Sequence, residues 1–112
     1  MITTHVLDTS LGKPAAGIKV SLEALSAGEG WKQVAWGTTD RDGRIRELLP
    51  AGKGLDERRY RLVFDTAAYF SERNVASFYP VVIVVFEVQH PNQHHHVPLL
   101  LSPFGYSTYR GS

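Results

Sequence analysis

Apolar and polar positions alternate along much of this 112-residue chain. Ile18, Val20, Leu22 and Ala24 alternate with Lys19, Ser21 and Glu23, the period-two pattern of a strand with one face in a core and one in water. Pro14 and Gly17 bound that strand upstream, and Ser26-Ala27-Gly28-Glu29-Gly30 predicts a hairpin loop after it. Trp31 to Thr38 is the return strand, its two tryptophans suited to a pleated surface. Asp40-Arg41-Asp42-Gly43 predicts a turn, because Asp tolerates turn geometry and Gly supplies positive φ. Arg44 then opens another strand. Tyr60, Leu62 and Phe64 share one face of a further strand, and His5 lies in the first strand on the face of Thr3 and Leu7.

One stretch breaks the alternation. Asp65 to Arg73 holds an N-cap candidate in Asp65, with Phe64 and Tyr69 at the spacing of a hydrophobic staple, and predicts a helix of about two turns. Pro80 opens Val81 to Val88, where Val81 to Phe86 is apolar on both faces; such a strand is expected to be covered twice, by a second sheet or by a partner subunit. Pro91-Asn92 marks a turn, His94 to Leu101 is a strand, Ser102-Pro103-Phe104-Gly105 turns again, and Tyr106 to Tyr109 is a short last strand. About eight short strands at hairpin spacing with one short helix predict an all-β fold, an antiparallel β-sandwich. Residues 1–112 are expected to form a single domain, large enough for one core without staples.

Composition narrows the classes. The chain has no cysteine, which excludes disulfides and thiolate-bound metal. A net charge of +1 is too small to suggest nucleic acid or an anionic membrane as partner. Val81 to Phe86, the longest apolar run, is too short to span a bilayer. Met1 to His5 has neither a basic nor an apolar leader segment, and Arg110-Gly111-Ser112 is not a peroxisomal signal, so a cytoplasmic location is expected.

The candidate chemistry lies in five histidines and the chain's end. On a strand, His94 and His96 share a face and His95 points away. That pair could supply two ligands of a zinc site, but a third would have to come from His5 or His90, and the spacing is weak support; no metal is expected. Asp40-x-Asp42-Gly43 resembles the opening of a calcium loop but lacks its downstream ligands and is read as a turn. Alone, His5 reads as an edge histidine and Arg44 as a surface arginine. Gly105 to Ser112 carries two tyrosines, hydroxyls and an arginine in a strand-like pattern, where tails commonly fray.

Longer motifs add a resemblance. His94-His95-His96-Val97-Pro98-Leu99-Leu100-Leu101-Ser102-Pro103-Phe104-Gly105-Tyr106-Ser107-Thr108-Tyr109-Arg110-Gly111-Ser112 resembles the C-terminal signature of the 5-hydroxyisourate hydrolases, the purine-degrading branch of the transthyretin-like family. That signature usually has tyrosine where this chain has His95, a position that should face away from the site. Thr4-His5-Val6-Leu7-Asp8, Gly12-Lys13-Pro14-Ala15-Ala16, Thr39-Asp40-Arg41-Asp42-Gly43-Arg44, Tyr60 to Thr66 and Phe78-Tyr79-Pro80 resemble the family's other blocks, in order and over nearly the whole chain.

The resemblance implies a transthyretin-like sandwich, a homotetramer with sites in a channel between dimers, and hydrolysis of 5-hydroxyisourate in urate degradation. It implies catalysis by His5, Arg44 and His96, and a substrate pocket formed by these with Tyr109, Arg110, Gly111 and Ser112. Imidazole titrates near neutrality and can take a proton from water. Guanidinium offers planar paired donors to a ureido or imide edge. Ser112 would add its hydroxyl and a carboxylate. On this reading neither cofactor nor covalent intermediate is required, and His5 and His96 are equal candidates for the base. Two rivals are a transthyretin-like small-ligand-binding protein without catalysis, and a β-sandwich adhesion or carbohydrate module.

Overall fold

The computed structural model describes residues 1–50, 52 and 54–112. Strands β1 (Ile2–Asp8), β2 (Lys13–Pro14), β3 (Lys19–Ser26), β4 (Gly30–Thr38), β5 (Arg44–Leu49) and β6 (Arg58–Phe64) precede helix α1 (Thr66–Glu72); β7 (Val82–Val88), β8 (His95–Ser102) and β9 (Gly105–Thr108) follow it. One sheet has the order β4-β3-β6-β7 and the other β2-β1-β8-β9, with β5 also paired to β1. β2 meets β1 at Leu7 and Asp8 while β5 meets it from Ile2 to His5, so the two share one edge of β1 in tandem.

Alternation in the sequence becomes alternation in burial. Val20, Leu22 and Ala24 of β3 face Phe64, Leu62 and Tyr60 of β6 across the ladder, and all six are buried. From the other sheet, Ile2 and Val6 of β1 and Val97, Leu99 and Leu101 of β8 close the core. The β7 residues Ile83 and Val85 are 42% and 54% exposed, whereas Val82 and Val88 are buried, so within this chain only one face of the strand is covered.

The pairing is antiparallel except between β1 and β8, which run parallel along the whole of β1. A parallel pair needs a long crossover, and here everything from β2 to β7 lies between its two strands in sequence. Hairpin-scale patterns carry no trace of it.

Helix α1 begins where the sequence predicts. Asp65 accepts a hydrogen bond from the Ala68 amide at 3.4 Å, and Phe64 and Tyr69 are both buried as the staple requires. The Tyr69 hydroxyl donates to Asp8 Oδ2 at 2.8 Å and ties the helix to the end of β1. Burial opposes ionisation of Asp8, but hydrogen bonds from Ser10, Tyr69 and the Leu11 amide outweigh it and hold the carboxyl below the usual carboxylate range. The same contact, added to burial, pushes the Tyr69 phenol up to about 12.

Candidate functional site

β1 is the strand on which the site is built. Ile2, Thr4, Val6 and Asp8 point into the sandwich, which turns Thr3, His5 and Leu7 to the outer face of the sheet. Cross-strand partners share a face, so each neighbour of β1 contributes a residue beside them. β5 sets Arg44 opposite His5, and β8 sets His96 opposite Thr3.

The turn before β5 explains how Arg44 is delivered. Asp40 Oδ1 accepts from the backbone amides of Asp42 (2.8 Å) and Arg44 (3.0 Å). Gly43 adopts φ of +74°, and a Cβ there would run into the Val6 carbonyl oxygen. Its own carbonyl accepts from the Val6 amide at 2.7 Å, locking the turn onto β1. Glycine is required on both counts.

β8 sorts the three consecutive histidines as the strand period predicts. His95 is buried on the inner side, whereas His94 and His96 both reach the Thr3 hydroxyl, each at 2.7 Å from Oγ1. The tail then folds over His96. The Gly111 amide donates to the His96 carbonyl at 2.8 Å, forming an isolated antiparallel bridge. A Cβ at Gly111 would fall on the His96 imidazole and lie 3.2 Å from Pro98 Cγ, so only glycine lets the backbone come this close. The end of the chain is therefore ordered against the sheet.

Together these residues surround a cleft of about 220 Å³, lined by Met1, Thr3, Thr4, Arg44, Ile45, Arg46, His94, His96 and Ser112. His5 stands at its side, paired with Arg44. Tyr109 and Arg110 do not line this cleft: with Val84 to Glu87, His95 to Val97 and Thr108 they line a second cavity of about 260 Å³, and His96 borders both. Arg110 Nη2 donates to Gln93 Oε1 at 3.1 Å. His95 faces this second cavity, and its Nδ1 is buried without a hydrogen-bond partner. Among the described residues no group of three His, Cys, Asp or Glu side chains is placed to hold a metal ion.

Electrostatics favour neutral imidazoles. His5 is pushed below the ordinary histidine range by burial and by the Arg44 guanidinium, against a hydrogen bond to the Asp42 backbone and the charges of Asp40 and Asp42. His96 is lowered by burial, then by His94, Arg44 and His5. Both rings therefore favour the neutral form, able to accept a proton, with a permanent guanidinium beside them. A bound carbonyl beside Arg44 would feel that charge, and a water between the carbonyl and an imidazole would have a base at hand.

Sequence reasoning brought forward His5, Arg44, His96, Gly111 and Ser112, and the structure gathers these five on one face. It did not single out Thr3, whose only signal was its place two residues before His5 on the same face. Ile45 and Arg46 of the cleft wall had no distinguishing signal at all.

Relatives agree along the whole chain. A 5-hydroxyisourate hydrolase of Salmonella typhimurium is 46% identical over 112 residues, covering all of this chain and 81% of that protein. The structure of a Klebsiella pneumoniae 5-hydroxyisourate hydrolase superposes with a TM-score of 0.85 at 36% identity, covering 99% of this chain and 98% of that one. Sea bream transthyretin, solved in complex with thyroxine, superposes with a TM-score of 0.91 at 35% identity over 98% of this chain and 93% of that one. The family model described as HIUase/Transthyretin family matches residues 2–111, and with these identities the chain belongs to that family.

Proposed function

We propose that this chain hydrolyses 5-hydroxyisourate to 2-oxo-4-hydroxy-4-carboxy-5-ureidoimidazoline, a step of urate degradation, by attack of an activated water on a ring amide. The observation that carries the reading is the convergence of His5, Arg44 and His96 on the outer face of one sheet, under the ordered Gly111–Ser112 end. His96 and His5 serve water activation and proton transfer; a positioned base of this kind contributes roughly a hundred- to ten-thousand-fold. Arg44 holds the substrate and polarises the attacked carbonyl, a contribution of roughly a hundred- to a thousand-fold for a well-aimed donor. Gly111 and Ser112 form the pocket wall. Tyr109 and Arg110 belong to the substrate-binding segment by leading the chain into that wall, with Arg110 fastened to Gln93.

Residues 1–112 act as one hydrolase domain in a homotetramer with sites between dimers. The open apolar face of β7 supports this assembly, since Ile83 and Val85 are only about half covered within the chain. A cytoplasmic location completes the reading; no described helix is long and apolar enough to cross a membrane.

The similarity to a thyroxine-bound transthyretin keeps one alternative in view, a small-ligand-binding protein without turnover. One assay separates the two readings. 5-Hydroxyisourate is generated from urate with urate oxidase and its ultraviolet absorbance followed. Added protein is expected to accelerate the decay, and His96→Ala to lose most of the effect. An unchanged decay with the wild-type protein would leave only the binding reading.

A further inference from the structure

We infer that Thr3 and His94 form a proton relay behind His96, which makes His96 the histidine that takes the proton from water and His94 the outlet to solvent. The inference rests on the hydrolase reading and decides between its two candidate bases.

The geometry is a single hydroxyl between two imidazoles. Thr3 Oγ1 lies 2.7 Å from His94 Nε2 and 2.7 Å from His96 Nδ1. A hydroxyl has one proton to donate, so one ring nitrogen receives it and the other must bring its own proton to the oxygen. The two tautomers are thereby tied in opposition. Thr3, which borders the cleft, is only 7% exposed, whereas His94 is exposed. The chain thus runs from His96, through a sheltered hydroxyl, to His94, which borders the same cleft and is exposed to solvent.

Proton movements balance along it. At the start Thr3 donates to His94 Nε2, His96 Nδ1–H donates to Thr3, and His96 Nε2 is bare. Water attacks the substrate carbonyl and gives a proton to His96 Nε2. His96 then passes its Nδ1 proton to the Thr3 oxygen while the Thr3 proton moves to His94 Nε2. The positive charge now sits on exposed His94, which releases a proton to solvent. His96 is left neutral with Nε2–H, the tautomer that can protonate the departing ring nitrogen. The donation and the return of the chain occur together, so that His96 always keeps one ring proton. A proton re-entering at His94 returns through Thr3 to His96 Nδ1 and restores the start.

Among the described residues His5 has no such bridge to a second imidazole. Its hydrogen bond is to the backbone of Asp42, where a carbonyl can accept but not carry a proton onward. Its neighbours are Arg44, Asp40 and Asp42, and none continues the chain from ring to solvent as Thr3 does. His96 is faced by His94, Arg44 and His5, all of which disfavour a lasting imidazolium in the cleft; moving the charge out to His94 relieves that.

The test combines histidine ring 15N NMR with turnover in three variants. Wild-type protein is expected to show His94 and His96 in opposite, bridged tautomers, and Thr3→Val to release both rings to the ordinary mixture. In the 5-hydroxyisourate assay, Thr3→Val and His94→Gln should each lower kcat roughly ten- to a hundred-fold with KM nearly unchanged, part of the range a positioned base supplies. Glutamine can accept the Thr3 proton but cannot pass one on, so it separates relay from mere ring positioning. Thr3→Ser should restore both the spectrum and kcat. Wild-type kcat in His94→Gln, or unbridged tautomers in the wild type, overturns the relay. A wild-type protein with bridged tautomers and no turnover overturns the hydrolase reading and leaves the bridge standing.

Discussion

A single methyl group at position 111 tests the site at the scale of the residue. Its carbon would overlap the His96 ring, so in Gly111→Ala either the imidazole or the tail must shift. A displacement of about 1 Å at a reacting group costs on the order of a hundred-fold in rate. We expect Gly111→Ala to lose about that much kcat/KM while its melting temperature stays close to wild type, because the chain end adds little to the core. Wild-type turnover in this variant would remove the tail from the pocket wall. The histidine environment gives a second expectation. His96 is held below 6.5, so the neutral base persists into mildly acidic solution and the acid limb of the kcat/KM profile has its midpoint below pH 6.5; a midpoint above 7 would contradict the assignment. Much of this was legible beforehand. His5, Arg44, His96 and the tail stood out because long motifs in order name a family. Thr3 did not, since a threonine is unremarkable until the parallel register sets it beside a histidine 93 positions away.

At the scale of the element, what the sequence reveals is local and what it conceals is long-range. The strand period, the Ser26–Gly30 loop, the Asp40–Gly43 turn and the Asp65 cap each depend on neighbours within a few residues, and each is found where the pattern puts it. The parallel β1–β8 pair and the two-residue β2 depend on partners far along the chain or on too few residues to show a period. The Tyr69–Asp8 hydrogen bond is another such long-range link, fastening α1 to β1. Tyr69→Phe removes a bond to a charged acceptor and should cost about 1.5–3 kcal/mol at neutral pH. The sign with pH follows from Asp8, whose folded pKa is depressed. Its contribution is present above the unfolded value of 3.8 and is lost as pH falls through the lower folded value. Urea unfolding at several pH values should therefore show the gap between wild type and Tyr69→Phe narrowing below pH 3.8. A gap that stays constant down to pH 2 would show that the carboxylate is not the partner that matters.

For the whole molecule, the question is what covers the apolar surface that one sandwich leaves open. The outer face of β7 carries Ile83 and Val85 at 42% and 54% exposure, and Phe78 nearby is 69% exposed. β7 and β9 are also the edge strands of their sheets, with ladder groups unpaired on one side. Covering a valine or isoleucine fully is worth roughly 1.5–3 kcal/mol, and these two are already half covered, so each subunit gains about half of that per residue. In a two-fold interface the same residues count twice. The sum, a few kcal/mol beside the edge hydrogen bonds, is enough for two lysines to reverse the balance, since burying an unpaired ammonium is costly. The double variant Ile83→Lys, Val85→Lys should thus sediment as a smaller species than wild type, which is expected at four times the chain mass. Both residues are solvent-facing within the chain, so the variant should keep the wild-type circular dichroism. Turnover decides how far the site depends on assembly. If the cleft needs a facing dimer to close over the substrate, KM should rise in the dissociated variant while the His94–Thr3–His96 bridge, internal to one chain, stays intact. A wild-type protein that sediments as a monomer at micromolar concentration would rule out the tetramer and leave each cleft open to solvent.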